Sequence, residues 1–177
     1  MKSIHNMYGN CSAVSLDYGI THEAIAVKEY ELRYNEDVQP SGLWLDQSGG
    51  LGASPDGLTE TAMIEVKCPH SAKDTGLQMK IDEGRFYLSK DVDGQLCLDR
   101  THETGSVYFH QIQGGLYLSG RSMCHLVVWS PIDMCVVAVP KDPCWGSNLK
   151  LLRRFHREHV RPTLPMNRVH LCVLRRN

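Results

Sequence analysis

A mixed β-sheet flanked by helices, an α/β fold, is what this chain predicts, on three observations. Short apolar runs bounded by Gly, Pro, Asp and Ser recur at 42–46, 50–54, 62–68, 125–130 and 134–139, the mark of strands. Stretches with apolar residues every three to five positions precede them at 21–35, fall among them at 107–118 and follow them at 146–160, the mark of helices. Finally, 177 residues at 42% hydrophobic content suffice for one core, so 1–177 reads as a single domain.

Each element has its own signal. Thr21 is a candidate cap for the first helix, which carries Ala24, Ile25 and Leu32 on to about Asn35. Residues 42–46 and 50–54 form two strands around Gln47-Ser48-Gly49-Gly50. A strand from Ala62 to Cys68 is stopped by Pro69, and Thr75–Ile81 suits a short helix. Asp91-Val92-Asp93-Gly94 sits between Arg85–Leu88 and Gln95–Leu98 as the turn of a hairpin. Phe109, Ile112, Leu116 and Tyr117 make 107–118 helical despite Gly114 and Gly115. The β-branched runs 125–130 and 134–139 flank Ser130-Pro131-Ile132-Asp133 as a buried hairpin, and a last helix runs from Gly146 to about Val160, before Pro162.

Charge is unevenly spread. Residues 150–177 hold eight Lys/Arg, among them Arg153, Arg154 and Arg157, against Glu158 alone, a net +7 that leaves −8 for residues 1–149. A basic tail (162–177) and helix on an acidic body suit a polyanion, although a solvated helix face gives the same pattern. No run is long enough to cross a bilayer, and Met1–Asn6 lacks the apolar stretch of a secretory signal. The seven cysteines include no Cys-x-x-Cys pair, which favours reduced thiols and an intracellular setting, cytoplasm or nucleus.

The richest segment runs from Ser54 to Lys67. Asp56 sits in a Pro-Asp-Gly turn, and Glu65 and Lys67 lie two apart in Met63-Ile64-Glu65-Val66-Lys67. Alternation along a strand puts Glu65 and Lys67 on one face and Ile64 and Val66 on the other. Charges on an apolar strand ask for a partner or a metal. Mg²⁺ takes oxygen ligands and keeps several waters, so Asp56, Glu65 and the Val66 carbonyl would suffice to hold it, with Lys67 beside an attacking water. Taken singly, Asp56 is also an ordinary turn residue, and Glu65 with Lys67 an ordinary edge-strand ion pair. Loss of either carboxylate is expected to end activity and, by relieving repulsion, to raise the melting temperature.

Ser54-Pro55-Asp56-Gly57-Leu58 followed by Ile64-Glu65-Val66-Lys67-Cys68-Pro69 resembles the core of the YqaJ-like viral recombinase group, the phage lambda exonuclease family, within the PD-(D/E)XK nuclease superfamily. Tyr18-Gly19-Ile20-Thr21-His22-Glu23-Ala24 with Tyr30 resembles its first helix. Tyr108-Phe109-His110-Gln111-Ile112-Gln113 resembles its Gln-x-Gln helix, followed by a Val-Val-Trp strand. The likeness runs from about Tyr18 to Arg161. It implies a restriction-endonuclease-like core and metal-dependent hydrolysis of double-stranded DNA from the 5′ end, in recombination or DNA processing. Mg²⁺ would be the cofactor, with Mn²⁺ substituting. Asp56, Glu65, Val66 and Glu23 would hold metal, Lys67 would be the catalytic lysine, and Gln111 would hold the site from the far side. Gln113, about 200° further round the helix, would face elsewhere. Ser54 and Lys73 would meet phosphates. His22 reads as a solvated first-turn histidine, with approach to the metal as the alternative.

Implied partners are double-stranded DNA ends, a single-strand annealing protein and further copies of the chain in a homo-oligomer, with no membrane. Family members carry an Arg and an Ile-Thr-Ala-Ser stretch before the first helix. Met1–Asp17 shows nothing comparable, so 1–17 is a short lead-in, either cut from a longer chain or replaced by another means of recognising ends. Two other functions fit the same residues: a catalytically silent nucleic-acid-binding module, and a restriction-type endonuclease.

Overall fold

A computed structural model describes residues 13–164. The tail beyond Leu164, with Arg168, Arg175 and Arg176, and the first twelve residues of the lead-in lie outside the described residues.

Helix α1 (Ala13–Tyr34) is followed by strands β1 (Trp44–Leu45), β2 (Gly52–Ala53), β3 (Gly57–Leu58) and β4 (Met63–Lys67). Then come α2 (Leu77–Asp82), the hairpin β5 (Leu88–Lys90) and β6 (Leu96–Leu98), α3 (Glu103–Ser119), β7 (Met123–Trp129), β8 (Met134–Pro140) and α4 (Ser147–Phe155). The main sheet has the order β3-β4-β7-β8. Its two central strands are parallel, with Glu65 opposite Leu126, and its outer pairs are antiparallel.

Alternation in β4 decides the layering. Ile64 and Val66 face α1, packing with Ala26, Tyr30, Val127 and Trp129. Met63 joins the larger core on the other face, with Leu126, Val128, Phe109, Ile112 and Leu116. A fully buried side chain of this size contributes about 1.5–3 kcal/mol, so these two clusters hold α1 and α3 on opposite faces of one sheet. Tyr30, wholly buried, also pins α1 to β7 through a 2.6 Å hydrogen bond with His125.

Helix ends follow local chemistry. The His102 ring accepts from the Thr104 N–H at the start of α3, and Gly120 closes that helix at φ 76°, a backbone state only glycine adopts without strain. Asp133, in the β7–β8 turn, accepts from the N–H groups of Leu77 and Gln78 and so caps α2 from 55 residues away.

The expected elements are present, with corrected bounds. Helix α1 starts at Ala13, so Thr21 is inside it and its hydroxyl donates to the Asp17 carbonyl rather than capping. Helix α4 stops at Phe155 and continues as a π turn (156–160) and a 3-10 turn that takes up Pro162. Strand β3, two residues long, is too short to leave an alternating pattern and is an addition to the expected elements.

Candidate active site

Strand β4 ends where β3 has already stopped pairing, and the site is built at that gap. Backbone pairing of β3 with β4 reaches Gly57 opposite Ile64, and the Asp56 N–H donates to the Ile64 carbonyl at 3.1 Å. Next, the Asp56 carboxylate takes over from backbone. Its Oδ2 accepts from the Val66 N–H at 2.6 Å. In an extended strand a residue's N–H and C=O leave on the same side, so the Val66 carbonyl faces the Asp56 edge too.

On the α3 side, Glu65 is nearly buried, at 4% exposure, and its Oε1 accepts twice: from the Lys67 ammonium at 2.6 Å and from the Gln111 side-chain amide at 2.5 Å. The Tyr108 ring lies under that ammonium, 4.9 Å from its centroid, a cation–π contact. Tyr87 meets Tyr108 edge-on at 5.0 Å. Glu23 arrives from α1. Together Glu23, Asp56, Glu65, Val66, Lys67 and Gln111 line one cleft of about 340 Å³.

The charges are poised for a cation. Burial pushes the Glu65 carboxyl up, and Asp56 and Glu23 add to that against the pull of Lys67. Burial also raises Asp56, opposed by the Val66 N–H and Lys67, and raises Glu23, with Asp56 adding to it. Burial alone would lower Lys67, but Glu65 outweighs it and holds the ammonium above the ordinary lysine value. Three carboxylates thus repel one another where one amine does not neutralise them. Among the described residues no hydrogen bond engages Asp56 Oδ1 or Glu65 Oε2, so each keeps an oxygen for a hard cation. The donor set fits Mg²⁺, although among the described residues no three His, Cys, Asp or Glu groups already converge as a ligand cluster.

A family model described as the YqaJ-like viral recombinase domain matches residues 3–122, about two thirds of the chain. The chain belongs to that family. Its YqaJ-like fold agrees with solved structures. An alkaline exonuclease (LHK-Exo) from Laribacter hongkongensis superposes with TM-score 0.62 at 21% identity, covering 86% of this chain and 71% of that one. The same protein in complex with dAMP gives 0.62 at 20% identity over the same shares. A phage-related exonuclease from Haemophilus somnus 129PT gives 0.60 at 10% identity, covering 88% and 76%. No curated protein matches the chain. With these structures the YqaJ-like domain shares its fold, a mixed sheet flanked by helices.

Other candidate residues fall elsewhere in the YqaJ-like frame. Ser54 lines a second cavity, with Glu65 and Gln111 in its wall. Lys73 is exposed beside Asp74, 3.9 Å away, and does not line the cleft. Arg154 and Arg157 lie on the surface against Glu158. Arg153 is held at 2.7 Å by Asp46, a buried carboxylate that also accepts from Ser48 and the N–H groups of Gly50 and Leu51. His22 is half-buried and does not line the cleft: it stacks on Tyr18 at 4.0 Å and on Trp129 at 5.5 Å, and its Nδ1–H donates to the Tyr18 carbonyl. Gln113 faces away from the site, wholly buried. It donates to the Pro140 carbonyl and accepts from the Asp142 N–H, tying α3 to the segment before α4.

The sequence pattern did not disclose Tyr108 and Tyr87 as neighbours of the lysine, nor Asp46 as the anchor of α4. Tyr108 lies three residues before Gln111, one helical turn, and that spacing was the available signal.

Proposed function

We propose that this chain is a Mg²⁺-dependent exonuclease that hydrolyses phosphodiester bonds at double-stranded DNA ends, in the 5′→3′ direction, with Mn²⁺ able to replace Mg²⁺. The observation that carries the proposal is the gathering of Glu23, Asp56, Glu65, the Val66 backbone, Lys67 and Gln111 around one cleft. The family membership and the exonuclease names of the structural neighbours support it, as does the dAMP, a DNA mononucleotide, bound by the Laribacter protein.

Asp56, Glu65 and the Val66 carbonyl would hold Mg²⁺, with Glu23 facing them across the cleft. Once bound, the cation supplies Lewis acidity toward a phosphoryl oxygen and acidifies a bound water. Lys67, kept charged by Glu65, stabilises negative charge that develops on the phosphoryl oxygens. Gln111 fixes Glu65 Oε1 and leaves Oε2 to bind the cation. Tyr108 gives Lys67 a face to rest on and restricts where the ammonium sits. Arg154, Arg157 and the tail beyond 162 would neutralise phosphates along the duplex, with Ser54 and Lys73 as further contacts. An annealing protein that takes up the single strand, self-association, and residence in cytoplasm or nucleus are consistent with that substrate.

The deciding assay uses labelled linear duplex with Mg²⁺, with EDTA, and with the Lys67→Ala variant. Degradation confined to wild type with Mg²⁺ is expected; equal degradation in all three ends the nuclease proposal, and none in any leaves a silent binding module. Covalently closed plasmid separates the modes of cutting: circles spared while linear ends are consumed is the exonuclease result, and cut circles mean an endonuclease.

A further inference from the structure

Strand β8 stands at one end of the main sheet, with β7 on one side and, among the described residues, no strand on the other. In an antiparallel pair, residues that exchange hydrogen bonds alternate with residues that turn their N–H and C=O outward. The Ser130 N–H donates to the Asp133 carbonyl at one end of the β7–β8 pair, and the Lys141 N–H to the Ser122 carbonyl at the other. With the register that sets Leu126 opposite Val137, both ends assign the backbone groups of Cys135, Val137 and Val139 to β7. Met134, Val136, Ala138 and Pro140 therefore present theirs to the open side.

The chain itself serves the two ends of that row. Arg33 donates to the Met134 carbonyl at 3.0 Å, and Gln113 donates to the Pro140 carbonyl at 2.9 Å. Among the described residues no hydrogen bond engages the N–H or C=O of Val136 and Ala138. Edge strands are usually guarded by a charge, a bulge or a covering segment. Here Met134-Cys135-Val136-Val137-Ala138-Val139-Pro140 holds no charge, and its one proline stands at the end. A groove of about 510 Å³ opens beside it, between Leu96 and Leu98 of β6 and Val137 to Pro140 of β8.

We infer that β8 pairs antiparallel with β8 of a second copy of the chain, about a two-fold axis passing between the two Val137 residues. This deepens the self-association proposed above and rests on it. What selects a second copy is the symmetry of the open groups about Val137. In that register Val136 faces Ala138 of the second copy, and Ala138 faces its Val136, so every open N–H of these residues meets an open C=O. Met134 then faces Pro140 of the second copy. That proline has no N–H to offer, and the Met134 carbonyl needs none because Arg33 already serves it. The Met134 N–H meets the second lone pair of the opposite Pro140 carbonyl. Charges match as well: Arg33 with Glu29 stands beside Met134, and Lys141 with Asp142 follows Pro140, so each end brings one cation and one anion to the other. A two-fold contact of this kind closes at two chains.

The test is sedimentation velocity of the full chain, with circular dichroism as the control for folding. Wild type is expected to reach the mass of two chains as its concentration rises through about 1–100 μM. Ala138→Pro removes an outward N–H that β7 does not use, a change tolerated on an edge strand. Ala138→Lys places a charge at an exposed position of the same edge, so a folding failure of the proline variant leaves the lysine variant to decide. Each is expected to raise the dissociation constant of the dimer by at least about tenfold. A wild type that stays a single chain removes the self-association and the inference together. An assembly that either folded variant leaves at wild-type strength overturns the inference alone, since the contact then lies on another surface.

Discussion

Gln111 reaches from α3 to Glu65 on β4, its side-chain amide 2.5 Å from Oε1, so a helix on one face of the sheet fixes the orientation of a carboxylate on a central strand. Groups that orient a metal ligand typically matter by about 10–100-fold in metal affinity or activity. Gln111→Ala is expected to lower turnover by that factor while the melting temperature moves by less than about 2 °C. Steady-state kinetics with a thermal melt checks both halves.

Lys67→Ala is expected to reduce cleavage by about 10²–10⁴-fold without loss of duplex binding. Single-turnover assays at saturating enzyme separate the chemical step from binding.

Asp56 and Glu65, alike in motif, should differ in stability. Asp56→Asn relieves repulsion on Glu65 and Glu23 and keeps an acceptor for the Val66 N–H. In EDTA it should gain roughly 1 kcal/mol, about 2–4 °C at this chain length. Glu65→Gln instead strands Lys67. Because that side chain keeps 19% exposure, the loss should be about 1–3 kcal/mol, below the full cost of an unpaired buried charge. Both variants should be inactive. The sequence-based expectation that removing either carboxylate stabilises therefore holds for one position and reverses at the other, because only Glu65 carries the lysine.

Two opposite pH effects are expected in the metal-free protein. Glu23, Asp56 and Glu65 have raised folded values, so above the ordinary carboxylate range the native state binds more protons than the unfolded chain, and stability falls as pH rises through that window. At Asp46, burial is outweighed by Arg153, Ser48 and the Leu51 N–H, and the carboxyl sits at about 2. Its contribution is complete above the unfolded value of about 3.9 and is lost as pH falls toward the folded one. Urea unfolding from pH 2.5 to 7 in EDTA should show both slopes, with Asp46→Asn reducing only the acid limb, to which the lowered Asp99 and Asp133 also contribute, and Asp56→Asn reducing only the upper one.

Truncation after Pro162 removes Arg168, Arg175 and Arg176. It should weaken DNA binding and flatten the plot of log affinity against log salt by about 0.9 for each phosphate that is no longer neutralised. An unchanged slope would place the polyanion on other residues.

How far the sequence could be read depends on the range of each interaction. Strands β4, β7 and β8 were legible because their apolar residues are continuous, and the pairing of Glu65 with Lys67 because alternation is a local rule. The start of α1 was not: Val14, Leu16 and Ile20 are exposed, so its first turns carry no buried stripe. Gln111 was placed by family likeness, since no spacing rule joins residues 46 apart. The brace between Asp46 and Arg153 spans 107 residues, and the cavity lined by Ser54 is assembled from several separate segments; neither leaves a mark in any short window.

Gln111 and Gln113 leave α3 in opposing directions, one toward Glu65 and the other toward the Pro140–Asp142 segment that leads into α4. Only about 3 Å of helix rise separates them. The surface that would grip a duplex is thereby gauged against the point of scission by a single short ruler, and a shift of that helix would misalign grip and cut at once.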